Sequence, residues 1–409
     1  MESQAAAIGR LIERAAAGRP RLVEAADKVA RALTWIVLAA AAATLAGWLL
    51  VDPPRAIWAA IAVLMVTCPC ALGLAAPIVL TSATGALARR GIVLTRGAAI
   101  ESLAKVTDVV LDKTGTLTEG KLRIAQVETV GPLSADECLA LAQALESGSN
   151  HPVARALAES SPANPRLDVR QAVHVAGGGI EARVGGGRLR IGSLRFVQEI
   201  AGTLPSLGTR PHHQSQVYLG GDSGWIARLS LEDGLRPDAA TLVAGLRAAG
   251  LKLHLLSGDD AAVVGEVSAR LGIEKHQGGV SPQEKYDYVK RLQSEGRIVA
   301  MLGDGLNDAP VLAQADVSIA MGQGARLAQQ NADLVLASGK LAGVLDARRI
   351  ARLAMTAIGQ NFFWALAYNA VALPAAAFGL IGPWEAAIGM AASSFVVVLN
   401  SSRLIAALR

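Results

Sequence analysis

The stretch Asp112-Lys113-Thr114-Gly115-Thr116-Leu117-Thr118 places an aspartate directly after the apolar run Val106–Leu111. That run has the length and composition of a buried strand. An aspartate at a strand end, opposite Mg²⁺, can attack a terminal phosphate and form an aspartyl phosphate. Lys113 would offset anionic charge, and Thr116 could hydrogen-bond phosphate oxygens. The stretch therefore predicts a phosphoryl-transfer site in an α/β fold.

Two more apolar runs end in the same way. Leu251–Leu256 leads into Ser257-Gly258-Asp259, and Ile298–Leu302 leads into Gly303-Asp304-Gly305. Functional groups in open parallel sheets gather outside the carboxyl ends of the strands. We therefore expect the three aspartates to converge on one site.

A second carboxylate cluster, Gly303-Asp304-Gly305-Leu306-Asn307-Asp308-Ala309-Pro310, has the hard oxygen ligands that Mg²⁺ prefers. Asp304 is expected as a direct ligand, supported by Asn307 and Asp308. Upstream, Pro282-Gln283-Glu284-Lys285 on its own is typical of a solvated helix start.

These strings resemble those of the P-type ATPases, whose phosphorylated aspartate lies in the same seven residues as Asp112. The resemblance implies a haloacid-dehalogenase-like α/β phosphorylation domain, an inserted α+β nucleotide-binding domain and α-helical transmembrane hairpins. It also implies Mg²⁺ at Asp112, Thr114 and Asp304, and Lys285 on the transferring phosphate. Ser257-Gly258-Asp259-Asp260 stands where the family usually has Thr-Gly-Asp-Asn, so Asp260 is expected to add charge beside the site.

ATP would have to be bound without a phosphate loop, because no G-x-x-x-x-G-K-[ST] string occurs. Glu146 followed by His151-Pro152 resembles the nucleotide motif of the heavy-metal branch of the family. Gly177-Gly178-Gly179-Ile180 resembles its glycine loop, where missing side chains let the nucleotide approach the backbone. Gly192-Ser193 stands where Gly-Asn is usual, so a role for Ser193 stays open. The resemblance implies nucleotide binding by Glu146, His151, Pro152, Gly177, Gly179, Ile180, Gly192, Ser257, Gly258 and Asp259.

Composition predicts membrane helices, because 52% of the residues are hydrophobic and only 4% are aromatic. A membrane helix needs about 20 apolar residues. Four segments qualify in two hairpins: Ala32–Val51, Ala56–Leu80, Asn361–Ile381 and Trp384–Leu399. Arginines follow the second segment and precede the third, so the long middle region is expected to be cytoplasmic. A buried helix pair in a soluble protein is the alternative.

Cys68-Pro69-Cys70 lies inside the second of these segments. Proline removes a backbone hydrogen bond and bends a helix, and thiolates suit Cu(I) and Zn²⁺. Tyr368-Asn369, with Met390 and Ser393-Ser394, resembles the signature of the Cu(I)-transporting subgroup, and the stretch 360–400 around them resembles its respiratory-oxidase-assembly exporters. The resemblance implies a Cu(I) site at Cys68, Cys70, Tyr368, Asn369, Met390 and Ser393. A zinc-class ATPase is the alternative.

The domain boundaries follow from these assignments. The expected domains are a linker helix (1–31), a first transmembrane pair (32–83), a phosphorylation domain (84–120 and 229–345), a nucleotide-binding domain (121–228) and a second transmembrane pair (346–409).

Other features limit the function. The net charge is +5 without a basic block, so no nucleic-acid partner is expected, and three cysteines exclude a disulfide framework. The expected partners are ATP, the membrane and Cu(I) delivered by a copper chaperone, in the inner membrane of a prokaryote. Thr-Gly-Glu, which marks the family's actuator domain, does not occur, so an incomplete pump is expected that binds or is phosphorylated without pumping. A phosphohydrolase of the same superfamily and a non-pumping remnant or interaction protein are the alternatives.

Overall fold

The structure is a computed structural model that describes residues 21–66, 70–149, 151–160, 167–175, 177–205, 215–304, 309–322 and 332–407. The chain divides into two compact units. The first comprises Met1–Val110, Ala244–Lys252 and Tyr286–Arg409, and the second comprises Leu111–Val243 and Leu253–Lys285.

The helices of the described part are α1 (Arg21–Val51), α2 (Pro53–Val66), α3 (Cys70–Arg89), α4 (Ala98–Lys105), α5 (Ala135–Glu146), α6 (Pro152–Ser160), α7 (Leu194–Ala201), α8 (Ala239–Ala248), α9 (Ala261–Leu271), α10 (Pro282–Ser294), α11 (Ala309–Gln314), α12 (Gly343–Ala377) and α13 (Pro383–Ala407). The strands are β1 (Ile92–Leu94), β2 (Asp108–Asp112), β3 (Thr118–Thr129), β4 (Val169–Val175), β5 (Gly179–Val184), β6 (Gly187–Gly192), β7 (Ser215–Gly221), β8 (Gly224–Leu235), β9 (Lys252–Leu256), β10 (Lys275–Gln277), β11 (Val299–Gly303), β12 (Val317–Met321) and β13 (Leu334–Leu336).

Two helices of the described part are long and apolar enough to cross a membrane, over Ala30–Val51 and Pro383–Arg403. They correspond to two of the four predicted spans. The predicted span Ala56–Leu80 is instead described as α2, which is apolar but only 14 residues long, and α3, on either side of residues 67–69, which lie outside the described part. The predicted span Asn361–Ile381 falls mainly in the second half of α12. Four spans are therefore not confirmed.

The packing of these helices fits a membrane environment. Small side chains of α1, α2, α12 and α13, such as Ala41, Ala62 and Ala376, form their shared core, as small residues do where membrane helices approach closely. Large apolar side chains point outward: Leu50 is 88% exposed and Trp384 82%. Such exposure is costly in water and favourable in lipid.

A seven-stranded sheet follows the order β1-β13-β12-β11-β2-β9-β10. β12 is parallel to β11 and β13, and β9 is parallel to β10, whereas β1 is antiparallel to β13. β2, β11 and β12 are buried along their length, which explains their continuous apolar runs. The three strands predicted before the aspartates are confirmed as β2, β9 and β11.

A six-stranded antiparallel sheet in the second unit follows the order β3-β8-β7-β6-β5-β4. Its core includes Leu145, Leu157 and Cys138, which is a free thiol whose pKa is raised by burial. The long pair β3 and β8 begins with Thr118 opposite Leu235, immediately after the predicted phosphorylation stretch. This pairing fixes the end of that stretch to an edge strand of the sheet.

Candidate functional site

Asp112, the predicted nucleophile, lies at the end of β2 and is only 5% exposed. The Nζ of Lys285, itself buried, donates a hydrogen bond to Asp112 Oδ1 over 2.6 Å. Lys285 lies in the first turn of α10, where Ser281 and Glu284 exchange the hydrogen bonds of a capping box. A buried carboxylate and ammonium compensate each other's lost hydration only when closely paired. The capped helix therefore fixes a cation against Asp112.

A second ion pair lies beside the first. Lys113 Nζ is 3.0 Å from Asp259 Oδ2, and the same oxygen accepts hydrogen bonds from Thr114 (2.8 Å) and Ser257 (2.6 Å). Burial favours the neutral form of Asp259, but the hydrogen bond from Ser257 and the charge of Lys113 outweigh it, so its pKa lies below the ordinary value. Asp259 thus acts as an anionic anchor for Lys113 and Thr114.

Of the two residues flanking Asp259, Asp260 has a local structural role, whereas packing does not require glycine at 258. An added Cβ at Gly258 would meet Val280 O at an ordinary 3.6 Å. Asp260, expected to add charge beside the site, caps α9 by accepting a hydrogen bond from Ala262 N over 2.8 Å. Aspartate and asparagine are both favoured at that position, so the change from the family's usual asparagine preserves the cap.

The loop after Asp112 needs glycine. Gly115 has φ +70°, a left-handed conformation that other residues adopt at a cost. Its N–H donates to Thr118 Oγ1 over 3.1 Å, and Thr118 Oγ1 lies 3.0 Å from Lys113 O. These contacts close the loop on itself.

Two residues that sequence analysis missed, Asp233 and Arg236, hold this loop from β8 and the residue after it. Asp233 accepts hydrogen bonds from Thr118 Oγ1 and from Lys121 N. Burial raises the pKa of Asp233 despite these contacts and the nearby charge of Lys113. Arg236 donates from Nε to Thr116 O over 2.9 Å and from Nη2 to Gly115 O over 3.2 Å. In the sequence, Asp233 and Arg236 appear only as charged residues at the end of β8. Such charges do not by themselves indicate a contact with the loop.

Thr116 was predicted to hydrogen-bond phosphate. Its side chain is fully buried, and Oγ1 has no hydrogen-bond partner among the described residues. A buried hydroxyl without a partner is unfavourable unless a ligand or water supplies one.

The predicted Mg²⁺ ligands are only partly described. Asp112 and Thr114 belong to the second unit, whereas Asp304 follows β11 in the first and is half-buried. Asn307 and Asp308 lie outside the described residues. The described part holds no group of three or more His, Cys, Asp or Glu side chains that could bind a metal. Mg²⁺ sites that also use substrate phosphates need only one or two carboxylates, so this finding is compatible with the prediction.

In the predicted nucleotide-binding domain, Glu146 ends α5 and is 7% exposed, and its Oε2 has no hydrogen-bond partner among the described residues. His151 is exposed and precedes Pro152, the first residue of α6, where proline is favoured. His151 Nδ1 accepts from Val153 N over 3.4 Å, which leaves Nε2 available. Both side chains thus retain hydrogen-bonding groups for a ligand.

The glycine positions have a packing reason of their own. Gly179 on β5 faces Gly192 on β6, and an added Cβ at Gly179 would lie 2.0 Å from Ile191 O. A Cβ at Gly192 would lie 2.1 Å from Gly178 O. Gly177 has φ +70°, and Ile180 is buried in the domain core. Close approach of the two strands is therefore sufficient to require glycine at 179 and 192, while the positive φ favours glycine at 177.

Ser193 follows Gly192 and precedes α7. Its N–H donates to Gly178 O over 2.8 Å, while its side chain makes no capping hydrogen bond.

For the predicted metal site, Cys68 and Pro69 lie outside the described residues, and Cys70 is the first residue of α3. The other predicted ligands lie on α12 and α13. Asn369 and Ser393 are both buried, and their Oδ1 and Oγ have no hydrogen-bond partner among the described residues. Asn369 Nδ2 donates to Ala365 O over 2.7 Å, which fixes the amide.

The two helices approach closely near these residues. An added Cβ at Gly389 would lie 2.7 Å from Tyr368 Oη, so Tyr368 packs directly over α13 beside the half-buried Met390. Four of the six predicted Cu(I) ligands thus lie on two contacting helices.

Comparison with known proteins gives consistent matches. Residues 109–316 match the haloacid dehalogenase-like hydrolase family. The chain is 39% identical over 411 residues to a probable copper-exporting P-type ATPase V of Mycobacterium tuberculosis (strain CDC 1551 / Oshkosh), covering 98% of this chain and 53% of that protein. It is also 39% identical over 398 residues to the nitrogen fixation protein FixI of Rhizobium leguminosarum bv. viciae, covering 96% and 51%.

A crystal structure of a zinc-transporting PIB-type ATPase in the E2.Pi state superimposes with a TM-score of 0.79 at 31% identity, covering 97% of this chain and 66% of that one. The chain spans about half the length of the curated relatives it matches. The predicted resemblance to the heavy-metal P-type ATPases is confirmed, and the chain belongs to the haloacid dehalogenase-like hydrolase family.

Proposed function

We propose that this chain carries the phosphorylation machinery of a heavy-metal transporter, in which Asp112 is phosphorylated by ATP and the transported ion is Cu(I). The observation that carries the proposal is the buried hydrogen bond from Lys285 to Asp112, beside a second pair of Lys113 and Asp259. Two lysines next to one buried carboxylate provide cationic charge for an incoming phosphate.

In the proposed reaction, a carboxylate oxygen of Asp112 attacks the terminal phosphorus of ATP. A new bond forms between that oxygen and phosphorus, the bond to the bridging oxygen breaks, and ADP leaves with the electron pair. Lys285 and Lys113 offset charge on the phosphoryl oxygens, and the unpartnered hydroxyl of Thr116 donates to one of them.

The residues present fit Mg²⁺, because Asp112 and Thr114 supply oxygen donors near the phosphate position and Mg²⁺ needs few protein ligands when phosphates complete its shell. We propose Asp112, Thr114 and Asp304 as those ligands, supported by Asn307 and Asp308. When bound, the ion would reduce repulsion between the carboxylate and the phosphate.

ATP is proposed to bind to the domain at residues 121–228. Glu146 Oε2 can accept from the adenine amino group, and His151 can hydrogen-bond or stack at the base. Pro152, Gly177, Gly179, Ile180 and Gly192 shape the same region, while Ser257, Gly258 and Asp259 belong to the phosphate end.

Cu(I) is proposed as the transported ion. Cys68 and Cys70 would supply soft thiolate ligands, and Met390 a thioether. Tyr368, Asn369 and Ser393 complete the proposed site, and the unpartnered Asn369 Oδ1 and Ser393 Oγ are free to accept hydrogen bonds or contact a cation. The copper-exporting relatives support this choice, whereas the zinc-transporting structural neighbour keeps zinc as the second candidate.

Three further features of the protein are also proposed. They are the domain boundaries at 31, 83, 120, 228 and 345, a multi-pass location in a prokaryotic inner membrane with the catalytic part cytoplasmic, and delivery of Cu(I) by a chaperone.

Phosphorylation of the Asp112→Asn variant tests the proposal, because asparagine retains the volume but is not a nucleophile. After incubation with radiolabelled ATP and acid quenching, wild type should retain label and Asp112→Asn should not. Asp136→Asn, an exposed substitution on α5, should label like wild type. Equal labelling of all three would show that Asp112 is not the acceptor.

Metal choice is tested separately by competition between the protein and calibrated chelators. Cys68→Ser and Cys70→Ser should each abolish Cu(I) binding in the membrane part, because a hydroxyl is a harder ligand. Tighter binding of Zn²⁺ than of Cu(I) would favour the zinc-class alternative.

A further inference from the structure

A groove of about 530 Å³ lies between the second half of α12 and the last turns of α13, within the size range of small-molecule sites. Gln360, Phe363 and Trp364 line it from α12, and Val396, Asn400 and Arg403 from α13. The first set is spaced at i, i+3 and i+4 and the second at i, i+4 and i+7, so each lies on one face of its helix.

The floor of the groove is polar and ordered. Asn400 Nδ2 donates to Gln360 Oε1 over 3.1 Å and to Asn361 Oδ1 over 2.9 Å. Asn361 Nδ2 donates to the buried Ser401 Oγ over 3.0 Å. These bonds hold the two helices in register and leave Gln360 Nε2 without a described acceptor.

The rim of the groove is cationic and its walls are apolar. Arg403 is exposed and makes no ion pair or hydrogen bond with any described residue. Phe363 is 75% exposed, and Trp364 and Val396 are also exposed. Exposed apolar walls beneath a cation match an amphipathic ligand with an anionic head, whereas a free phosphate would gain nothing from the walls.

The groove lies toward one end of the hairpin. α12 begins at the sheet, where an added Cβ at Gly343 would lie 3.1 Å from Leu336 on β13. Arg348, Arg349 and Arg352 follow in the first part of α12, while the connection between α12 and α13 contains no lysine or arginine. Cationic residues concentrate on the cytoplasmic side of membrane proteins, so the groove falls near the inner headgroup layer. This step rests on the proposed membrane insertion.

We propose that the groove binds an anionic phospholipid of the inner leaflet. Arg403 pairs with the phosphodiester, Gln360 Nε2 donates to the headgroup, and an acyl chain lies along Phe363 and Val396. Basic pockets between membrane helices on the cytoplasmic side are suited to such headgroups. A lipid bound there would stabilise the position of α12, the helix that joins the membrane part to the sheet.

The test is retention of phosphatidylglycerol by the 409-residue chain after purification from vesicles of phosphatidylcholine and phosphatidylglycerol, measured by native mass spectrometry. Wild type should retain phosphatidylglycerol in preference to phosphatidylcholine. Arg403→Gln should reduce retention about fivefold, the effect of one arginine at an anionic surface. Val396→Trp, which fills the groove and leaves Arg403 in place, should also reduce it.

Arg31→Gln is the matched control, because Arg31 is an exposed arginine at the start of the other long apolar segment, Ala30–Val51, and it should retain lipid like wild type. Equal retention by wild type, Arg403→Gln and Val396→Trp would overturn the proposal, as would displacement of the lipid by excess inorganic phosphate. Labelling of Asp112 is measured in parallel, so that failure of the proposed phosphorylation is seen separately from failure of lipid binding.

Discussion

The charged groups at the proposed phosphorylation loop (residues 112–118) have partners, whereas two polar groups buried between α12 and α13 have none among the described residues. In the loop, Asp112 is paired with Lys285, and Asp259 with Lys113, Thr114 and Ser257. In the helix contact, Asn369 Oδ1 and Ser393 Oγ are buried without a described partner.

Because of this difference, we expect ligand binding to affect the two regions differently. The ion pairs keep the loop charges ordered before substrate binds, so the proposed phosphoryl transfer would need little rearrangement. An unsatisfied buried acceptor costs about 1–3 kcal/mol, which a bound ligand would recover. The loop therefore stabilises the protein in its free state, while the helix contact is expected to gain stability on binding.

The largest expected effect comes from removing the cation at Asp112. Lys285→Met should lower phosphoenzyme formation by about 100-fold or more, since one preorganised electrostatic contact is worth that much. It should also destabilise the fold by about 3–5 kcal/mol, because it leaves a buried carboxylate uncompensated. Rapid-quench labelling and chemical denaturation measure the two effects.

The double variant Lys285→Met with Asp112→Asn should regain most of the lost stability but none of the labelling. Lys290→Met, an exposed substitution on the same helix, should change neither. If the double variant were no more stable than Lys285→Met, the ion pair would not explain the lost stability.

The opposite response is expected between α12 and α13. Ser393→Ala removes a buried hydroxyl that has no described partner, so it should stabilise the helix pair by about 1 kcal/mol. Cu(I) affinity should fall by about 10- to 100-fold, as for a group that supports a metal site. Thermal unfolding in detergent and chelator competition measure the two quantities.

Ser402→Ala is the control, since Ser402 Oγ is exposed and already donates to Leu399 O. It should alter neither quantity appreciably. Destabilisation by Ser393→Ala, without loss of Cu(I) affinity, would mean that the hydroxyl has a structural partner and no part in the metal site.

Much of the fold was predictable because it depends on local patterns. The strands before Asp112, Asp259 and Asp304 are buried apolar runs that end in polar residues, a pattern visible without tertiary information. The capping box of Ser281 and Glu284 at the start of the helix that carries Lys285 is equally local, although it was not predicted.

The missed parts depend on contacts between residues distant in sequence. Arg236 reaches the carbonyls of Gly115 and Thr116, about 120 positions earlier, only because β3 and β8 pair along their length. The predicted span over Ala56–Leu80 is not confirmed for a different reason. The described helices end at Val66 and begin again at Cys70, and residues 67–69 lie outside the described part.

A smaller effect is expected when the second ion pair is weakened. The folded-state pKa of Asp259 is depressed, so its ionisation stabilises the fold above the ordinary aspartate pKa of about 3.9. That contribution is lost as the pH falls through the lower folded-state pKa. Asp259→Asn should therefore be less stable than wild type near pH 7, and the difference should shrink in strongly acidic buffer. Denaturation curves across that range, with Asp136→Asn as the control, measure this; a difference that grows on acidification would contradict it.

The smallest expected effect concerns His151, which is exposed and, among the described residues, forms hydrogen bonds only with those two or three positions away. Its Nδ1 accepts from Val153 N and its backbone N–H donates to Ser149 Oγ, so the ring is oriented while Nε2 and its faces remain open. His151→Gln should weaken ATP binding by about 1 kcal/mol, the value of one hydrogen bond, or about fivefold in Kd. Calorimetry on the 409-residue chain measures the change. His174→Gln, an exposed histidine on β4 of the same sheet, is the matched control and should bind like wild type. Because an open ring contributes little to folding, both variants should unfold at the wild-type denaturant concentration. Unchanged affinity in His151→Gln would remove the histidine from the nucleotide site and leave the buried Glu146 as its remaining side-chain contact.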